Sequence, residues 1–167
     1  RASDLALDFQ ARGIQVIIGG FHVSGVLKQF PEDDSTMSLR AHRELGLERL
    51  MDLGVTLFAG EAEGRMLKLL QDFQQGRLER VYNYLADKPN LVQEPAPEPI
   101  WSLRHHFAFP QSSTIDACRG CPYNCDFCTI RNVQGPKIRA RGVQVFCDMI
   151  RRNWKRGINA YFFTSDN

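Results

Sequence analysis

Outside one short stretch, this sequence has few features that announce a function. No run approaches the ~18 consecutive apolar residues of a membrane-spanning helix, and the first residues lack the basic, apolar and small-residue succession of a secretory signal. There is no Gly-x-Gly-x-x-Gly, so nothing points to a dinucleotide site by that route. Nor is there a charge excess. Twenty-one basic residues against nineteen acidic leave a net +2, which gives no electrostatic case for nucleic acid or another polyanion. Cysteine is scarce away from one place: of five, Cys147 alone lies beyond residues 118–128. That is not the distribution of a secreted disulfide scaffold, and a reducing, cytoplasmic compartment is the expectation. The sequence opens on Arg1 and breaks off at Thr164-Ser165-Asp166-Asn167, just after an apolar strand, so it reads as a piece of a longer protein. With 167 residues and 43% hydrophobic content it can bury one good core or two small ones.

What the sequence does have is Cys118-Arg-Gly-Cys121-Pro-Tyr-Asn-Cys125-Asp-Phe-Cys128, four cysteines within eleven residues. Cysteines this dense cannot all pair, because a disulfide needs Cα atoms roughly 4.4–6.8 Å apart with suitably directed Cβ vectors. Thiolates curled round one inorganic centre are the alternative, and soft thiolates select zinc, copper(I) or iron–sulfur clusters. Structural zinc sites usually join two well-separated Cys pairs. Here only Pro122, Tyr123 and Asn124 separate the halves, which favours a cluster.

Along the chain, β-branched runs alternate with helical stretches. Residues 2–12 read as a helix with Leu5, Leu7, Phe9 and Ala11 as its apolar face; 14–18 as a buried strand; 37–53 as helical, interrupted by Gly46; 55–59 as a second strand; and 61–75 as a helix opened by Glu61. Such alternation implies parallel strands in an α/β fold, with Gly19-Gly20 and Gly60-Glu61 at one sheet edge, where open α/β sheets bind ligands. A turn-rich stretch with Pro31, Asp33 and Asp34 lies between. Pro89, Pro95, Pro97 and Pro99 mark a semi-rigid linker, and His105-His106 beyond it reads as structural. Residues 113–117 form a strand feeding the cysteines, and 142–156 a helix with an inward stripe of Val143, Phe146, Met149, Ile150 and Trp154. Cys147 on its flank reads as inert packing. Lys137, Arg139, Arg141, Arg151, Arg152, Lys155 and Arg156 read as a solvated basic face, with a substrate or phosphate role as the alternative. Residues 158–163 are the next strand.

Cys121-x3-Cys125-x2-Cys128, with Phe127 directly before the last cysteine, resembles the signature of the radical S-adenosylmethionine superfamily. The resemblance implies a four-iron, four-sulfur cluster whose three irons are held by Cys121, Cys125 and Cys128, the fourth staying open to the methionine moiety of S-adenosylmethionine. Phe127 would then lie against the adenine, and Thr164, Ser165 and Asp166 would approach the methionine amino group. Cys118 falls outside the triad. Strands ending in Gly19-Gly20-x-His22 and Gly60-Glu61-x-Glu63, a proline-rich bridge and then the cysteine loop are similar to enzymes that carry a cobalamin-binding domain ahead of the radical SAM barrel. His22-Val-Ser-Gly25 matches half of that family's Asp-x-His-x-x-Gly motif, but Gly20 stands where the aspartate would be, so His22 is read as a structural loop histidine.

On this resemblance residues 1–85 are the C-terminal half of a Rossmann-like, cobalamin-binding-type domain, 86–110 the linker, and 111–167 the first βαβ portion of a radical SAM (βα) partial barrel. The implied reaction is reductive cleavage of S-adenosylmethionine to a 5′-deoxyadenosyl radical, for cobalamin-dependent methylation or a related C–H modification. Gly19, Gly20, Gly60 and Glu61 would border the cobalamin. The partners implied are a small-molecule substrate and an electron donor such as flavodoxin or ferredoxin, and the 167 residues alone are expected to be inactive. A cobalamin-free radical SAM enzyme, and a non-enzymatic iron–sulfur or zinc-binding module, stand as alternatives.

Overall fold

The runs of branched apolar residues become short parallel strands, of which the central one, Thr56–Ala59, is covered on both faces. In the computed structural model, which describes residues 2–30, 41–43, 45–95 and 111–166, the chain divides into two compact units. One comprises Arg1–Pro89 and Phe127–Gln134, the other Asn90–Asp126 and Gly135–Asn167.

The first unit is built on β1 (Ile17–Gly19), β2 (Thr56–Ala59) and β3 (Val81–Asn83) in that order, all parallel. Gly19 is paired with Phe58 and Ala59 with Asn83. Helix α1 (Ala2–Gln10) precedes the sheet, α2 (Phe21–Gln29) and α3 (Leu47–Asp52) lie between β1 and β2, and α4 (Met66–Gln74) lies between β2 and β3. Alternate β2 side chains go to opposite faces. Leu57 and Ala59 join Val23, Leu27, Leu47 and Leu50 in one core, whereas Phe58 joins Leu69 and Tyr82 in the other. All four β2 residues are buried, as a central strand between two cores requires. Among residues 127–134, α5 (Ile130–Gln134) packs against α2, and Lys88 donates a hydrogen bond to the Val133 carbonyl.

Three readings of this unit change. The buried residue of α1 is Ala6, while Leu5, Leu7 and Phe9 are exposed; residues two apart point about 200° away from one another on a helix, so Leu5, Leu7, Phe9 and Ala11 are not one face. His22 lies in the first turn of α2, not in a loop, with Nε2 3.1 Å from the Leu45 carbonyl. The buried Val23, Val26 and Leu27 are spaced i, i+3, i+4, but Gly25 among them obscures the pattern. Residues 61–62 are irregular and 63–65 form a turn, and α4 begins only at Met66, after the poor helix former Gly64, so Glu61 opens no helix. The Pro31–Asp34 stretch, Pro97, Pro99 and His105-His106 lie outside the described residues.

Buried Asp72 on α4 shows what burial requires of a carboxylate. Lys68 Nζ and Tyr82 Oη donate to its Oδ2, the latter at 2.7 Å, and Arg77 Nε donates to Oδ1 at 3.2 Å. The bonds from Lys68 and then Tyr82 hold its carboxyl below the usual carboxylate range. Because the folded value is the lower one, the stabilisation is complete above the unfolded value, about 3.9, and is lost as pH falls through the folded value. We therefore expect Asp72→Asn to flatten the acid limb of this unit's stability. Urea midpoints followed downward from neutral pH check it, and an unchanged acid limb in the variant would refute the assignment.

The second unit pairs β4 (Ser112–Ile115) in parallel with β7 (Ala160–Phe163), joined through α6 (Val143–Lys155), while β5 (Cys118–Arg119) and β6 (Arg139–Ala140) form a small antiparallel ribbon. Its core is Ile115 and Met149, flanked by Val145, Phe146, Ile150 and Tyr161. The expected stripe on α6 is only half inward. Met149 and Asn153 are buried, whereas Val143 and Trp154 are exposed. At about 100° per residue those two sit roughly 100–120° round the helix from the Met149–Asn153 line, beyond what two strands cover. Parallel sheets with intervening helices make both units α/β.

Candidate functional site

β4 ends at Ile115 and the chain runs through β5 into residues 120–129, which contain no helix or strand. Cys121, Cys125 and Cys128 all lie on this stretch, Cys125 exposed and the other two half-buried. All five cysteines are free thiols. Among the described residues no group of three or more His, Cys, Asp or Glu side chains is gathered closely enough to hold a metal ion. The donor set nevertheless fits a soft centre: three unpaired thiols on one irregular loop, with no ladder or helical bonds to break in wrapping round it. Phe127 is 91% exposed.

What the fold does bring together is the entrance of this loop. Thr164 follows β7 and donates both its N–H, at 2.9 Å, and its hydroxyl, at 3.2 Å, to the Ile115 carbonyl. Ser165 Oγ accepts the N–H of Ala117 at 2.8 Å and that of Cys118 at 3.3 Å, and Asp166 Oδ2 accepts the N–H of Gly120 at 2.9 Å. The three residues expected near a methionine amino group thus hold the backbone that leads into the cysteines. From the other side the Gly135 carbonyl accepts the Cys121 N–H at 3.1 Å. The residues after α5 therefore grip the loop where Asp166 does.

A buried arginine underlies this entrance. Arg141, read from sequence as part of a solvated basic face, has a side chain only 1% exposed. Its Nε donates to the Asp116 carbonyl at 2.9 Å, Nη2 to Asp116 Oδ2 at 3.1 Å, and Nη1 to the Pro95 carbonyl at 3.2 Å. Arg119 Nε shares the same Asp116 oxygen at 2.9 Å. Sequence reasoning missed Arg141 because one arginine in a run of cations looks like the rest. Asp116, placed just before the first cysteine, was the available signal.

At the first unit's sheet edge, parallel pairing sets Gly19-Gly20 and Gly60 at the carboxyl ends of neighbouring strands. The glycines do not all leave room there. A Cβ on Gly60 would stand 2.9 Å from the Tyr84 carbonyl carbon, and one on Gly19 3.0 Å from the Phe58 oxygen, whereas Gly20 has open space. Ser24 Oγ from α2 accepts the Gly60 N–H at 3.1 Å, and Glu61 is buried. Gly20 is thus unobstructed, whereas Gly19 and Gly60 are packed against their own chain and clear no path for a ligand.

No protein-family model matches the chain. It is similar to the bacteriochlorophyllide d C-8(2)-methyltransferase of Chlorobaculum tepidum, at 27% identity over 169 aligned positions. The alignment takes in 99% of this chain and 32% of that protein, so the chain spans about a third of the length of the methyltransferase it resembles over nearly all of its own.

Proposed function

We propose that this chain carries the cluster-binding loop of a radical S-adenosylmethionine enzyme that transfers a methyl group to carbon. The observation that carries the reading is the placement of three free thiols, Cys121, Cys125 and Cys128, on an irregular loop that follows the first strand of a parallel βαβ unit. The similarity to an enzyme named as a methyltransferase supports the reaction class. When bound, a four-iron, four-sulfur cluster with S-adenosylmethionine supplies one-electron cleavage of a carbon–sulfur bond, and cobalamin, where used, supplies a transferable methyl group. The chain's own part is to present three thiolates and leave one iron open, to hold the loop entrance through Thr164, Ser165 and Asp166, and to offer Phe127 as an aromatic face for a flat ligand. A small-molecule methyl acceptor and a one-electron donor such as flavodoxin or ferredoxin complete the reaction.

Anaerobic reconstitution tests it. We expect about four irons per chain, loss of the cluster on replacing any one of Cys121, Cys125 or Cys128 by Ala, and retention in Cys118→Ala and Cys147→Ala. A cluster that survives Cys125→Ala, or is lost in Cys118→Ala, refutes the three-cysteine assignment. Cobalamin dependence is the finer form of the reading, supported by the open space at Gly20. Hydroxocobalamin titration of the protein at its full length decides it, with Gly20→Val expected to weaken binding and His22→Ala to leave the cobalt spectrum unchanged. No uptake by reconstituted wild type leaves a cobalamin-free enzyme.

A further inference from the structure

We infer that Ser165 and Asp166 are positioning residues for the cysteine loop, acting as backbone acceptors that set the path of residues 117–121 and so the place of the first ligand, Cys121. The inference rests on the cluster reading above and concerns how this chain prepares that site. Three successive features make the case. Ser165 Oγ takes the N–H groups of Ala117 and Cys118, and Asp166 Oδ2 takes that of Gly120. These three N–H groups span the segment immediately before Cys121, and their acceptors come from 46 to 48 residues further along the chain. The Asp166 main chain takes part as well, its carbonyl lying 3.8 Å from Cys118 Sγ as the acceptor of a weak S–H bond.

The chemistry of the two side chains suits this role. A hydroxyl oxygen has two acceptor lone pairs, so Ser165 can serve two N–H groups at once. A carboxylate bonded to a backbone N–H makes a charge-assisted bond, roughly twice as strong as a neutral one. Cys121 is itself fixed by a fourth backbone N–H bond, to the Gly135 carbonyl. A flexible thiolate loop loses conformational freedom when it closes on a cluster, and ordering the backbone beforehand removes part of that cost. Asp166 thereby serves the loop through one carboxylate oxygen, a role separable from pairing with a ligand's ammonium group.

The two roles for Asp166 predict different variant behaviour. An N–H acceptor is retained in Asp166→Asn through the amide oxygen, whereas pairing with the methionine ammonium needs the charge. In the full-length protein, amide hydrogen exchange over residues 117–121 before reconstitution should quicken about 10–100-fold in Asp166→Ala, with a smaller increase in Ser165→Ala. Iron content after reconstitution should fall with it. Asp166→Asn should recover most of the wild-type protection and iron content, its neutral amide oxygen making a weaker bond than the carboxylate, and should keep the change that S-adenosylmethionine makes in the electron paramagnetic resonance spectrum of the reduced cluster. The inference is overturned if Asp166→Ala leaves exchange and iron content unchanged. It is also overturned if Asp166→Asn keeps both but abolishes the S-adenosylmethionine-dependent spectral change, since that assigns Asp166 to the ligand. Wild type that takes up no iron rejects the cluster reading itself, a result distinct from either.

Discussion

Gly120→Ala should cost the second unit on the order of 3 kcal/mol or more, combining the strain of a left-handed non-glycine residue with overpacking against main chain. Gly120 has φ +92°, and a Cβ there would stand 2.2 Å from the Lys137 carbonyl oxygen and 3.2 Å from that of Gly135. Both are backbone atoms, so no rotamer change relieves the contact. Moving the 135–137 segment aside would stretch the Cys121 N–H bond to Gly135 O, and moving Gly120 would stretch its own bond to Asp166. Among the described residues the unit's core cluster has Ile115 and Met149 as its buried members, so a loss of this size is a large part of a small domain's stability. Gly157→Ala is the matched control. That position has φ +87° but nothing within 4 Å of a built Cβ, and should cost only about 1–2 kcal/mol of conformational strain. Urea unfolding followed by circular dichroism compares the two, and equal losses would show that the close approach to Lys137 does not matter.

For Arg141→Met we expect a loss of about 3 kcal/mol, the lower end for removing one partner of a buried pair, because Asp116 keeps some exposure to water and its bond from Arg119. The methionine fills the volume but abandons the carbonyls of Asp116 and Pro95 as well as the Asp116 carboxylate. Arg141→Lys should recover less than half of the loss, since one ammonium on a flexible stem cannot reproduce a planar fork that reaches acceptors on two segments. Residues 90–95 should also become more sensitive to protease, because Arg141 ties Pro95 to the base of β4. Chemical unfolding with limited proteolysis would test this. A lysine variant as stable as wild type, with residues 90–95 still protected, would show that the fork geometry is unimportant.

The parts of the fold visible in the sequence are those coded by neighbours in the chain. Val55–Ala59 is a branched apolar run and becomes β2, and the 142–156 periodicity becomes α6 within one residue at each end. β3 was not visible, because Val81–Asn83 is three residues long with only Tyr82 buried, too short for a period-two pattern to show. Helix α2 was concealed by Gly25 and by the likeness of His22-x-x-Gly25 to a loop motif. The ribbon of β5 and β6 has two residues in each strand and leaves no periodic trace at all.

The candidate site divides along the same line. Four cysteines within eleven residues mark the loop from the sequence alone, although among the described residues the fold gathers no three such side chains closely enough to hold a metal ion. Only the tertiary structure decided what holds that loop: Ser165 and Asp166 accepting its N–H groups, the Gly135 and Lys137 carbonyls pressed against Gly120 and Cys121, and Arg141 beneath Asp116. These contacts join backbone groups, which every residue has alike, to partners far along the chain. Neither spacing nor residue type records such a pairing before the strands are laid side by side.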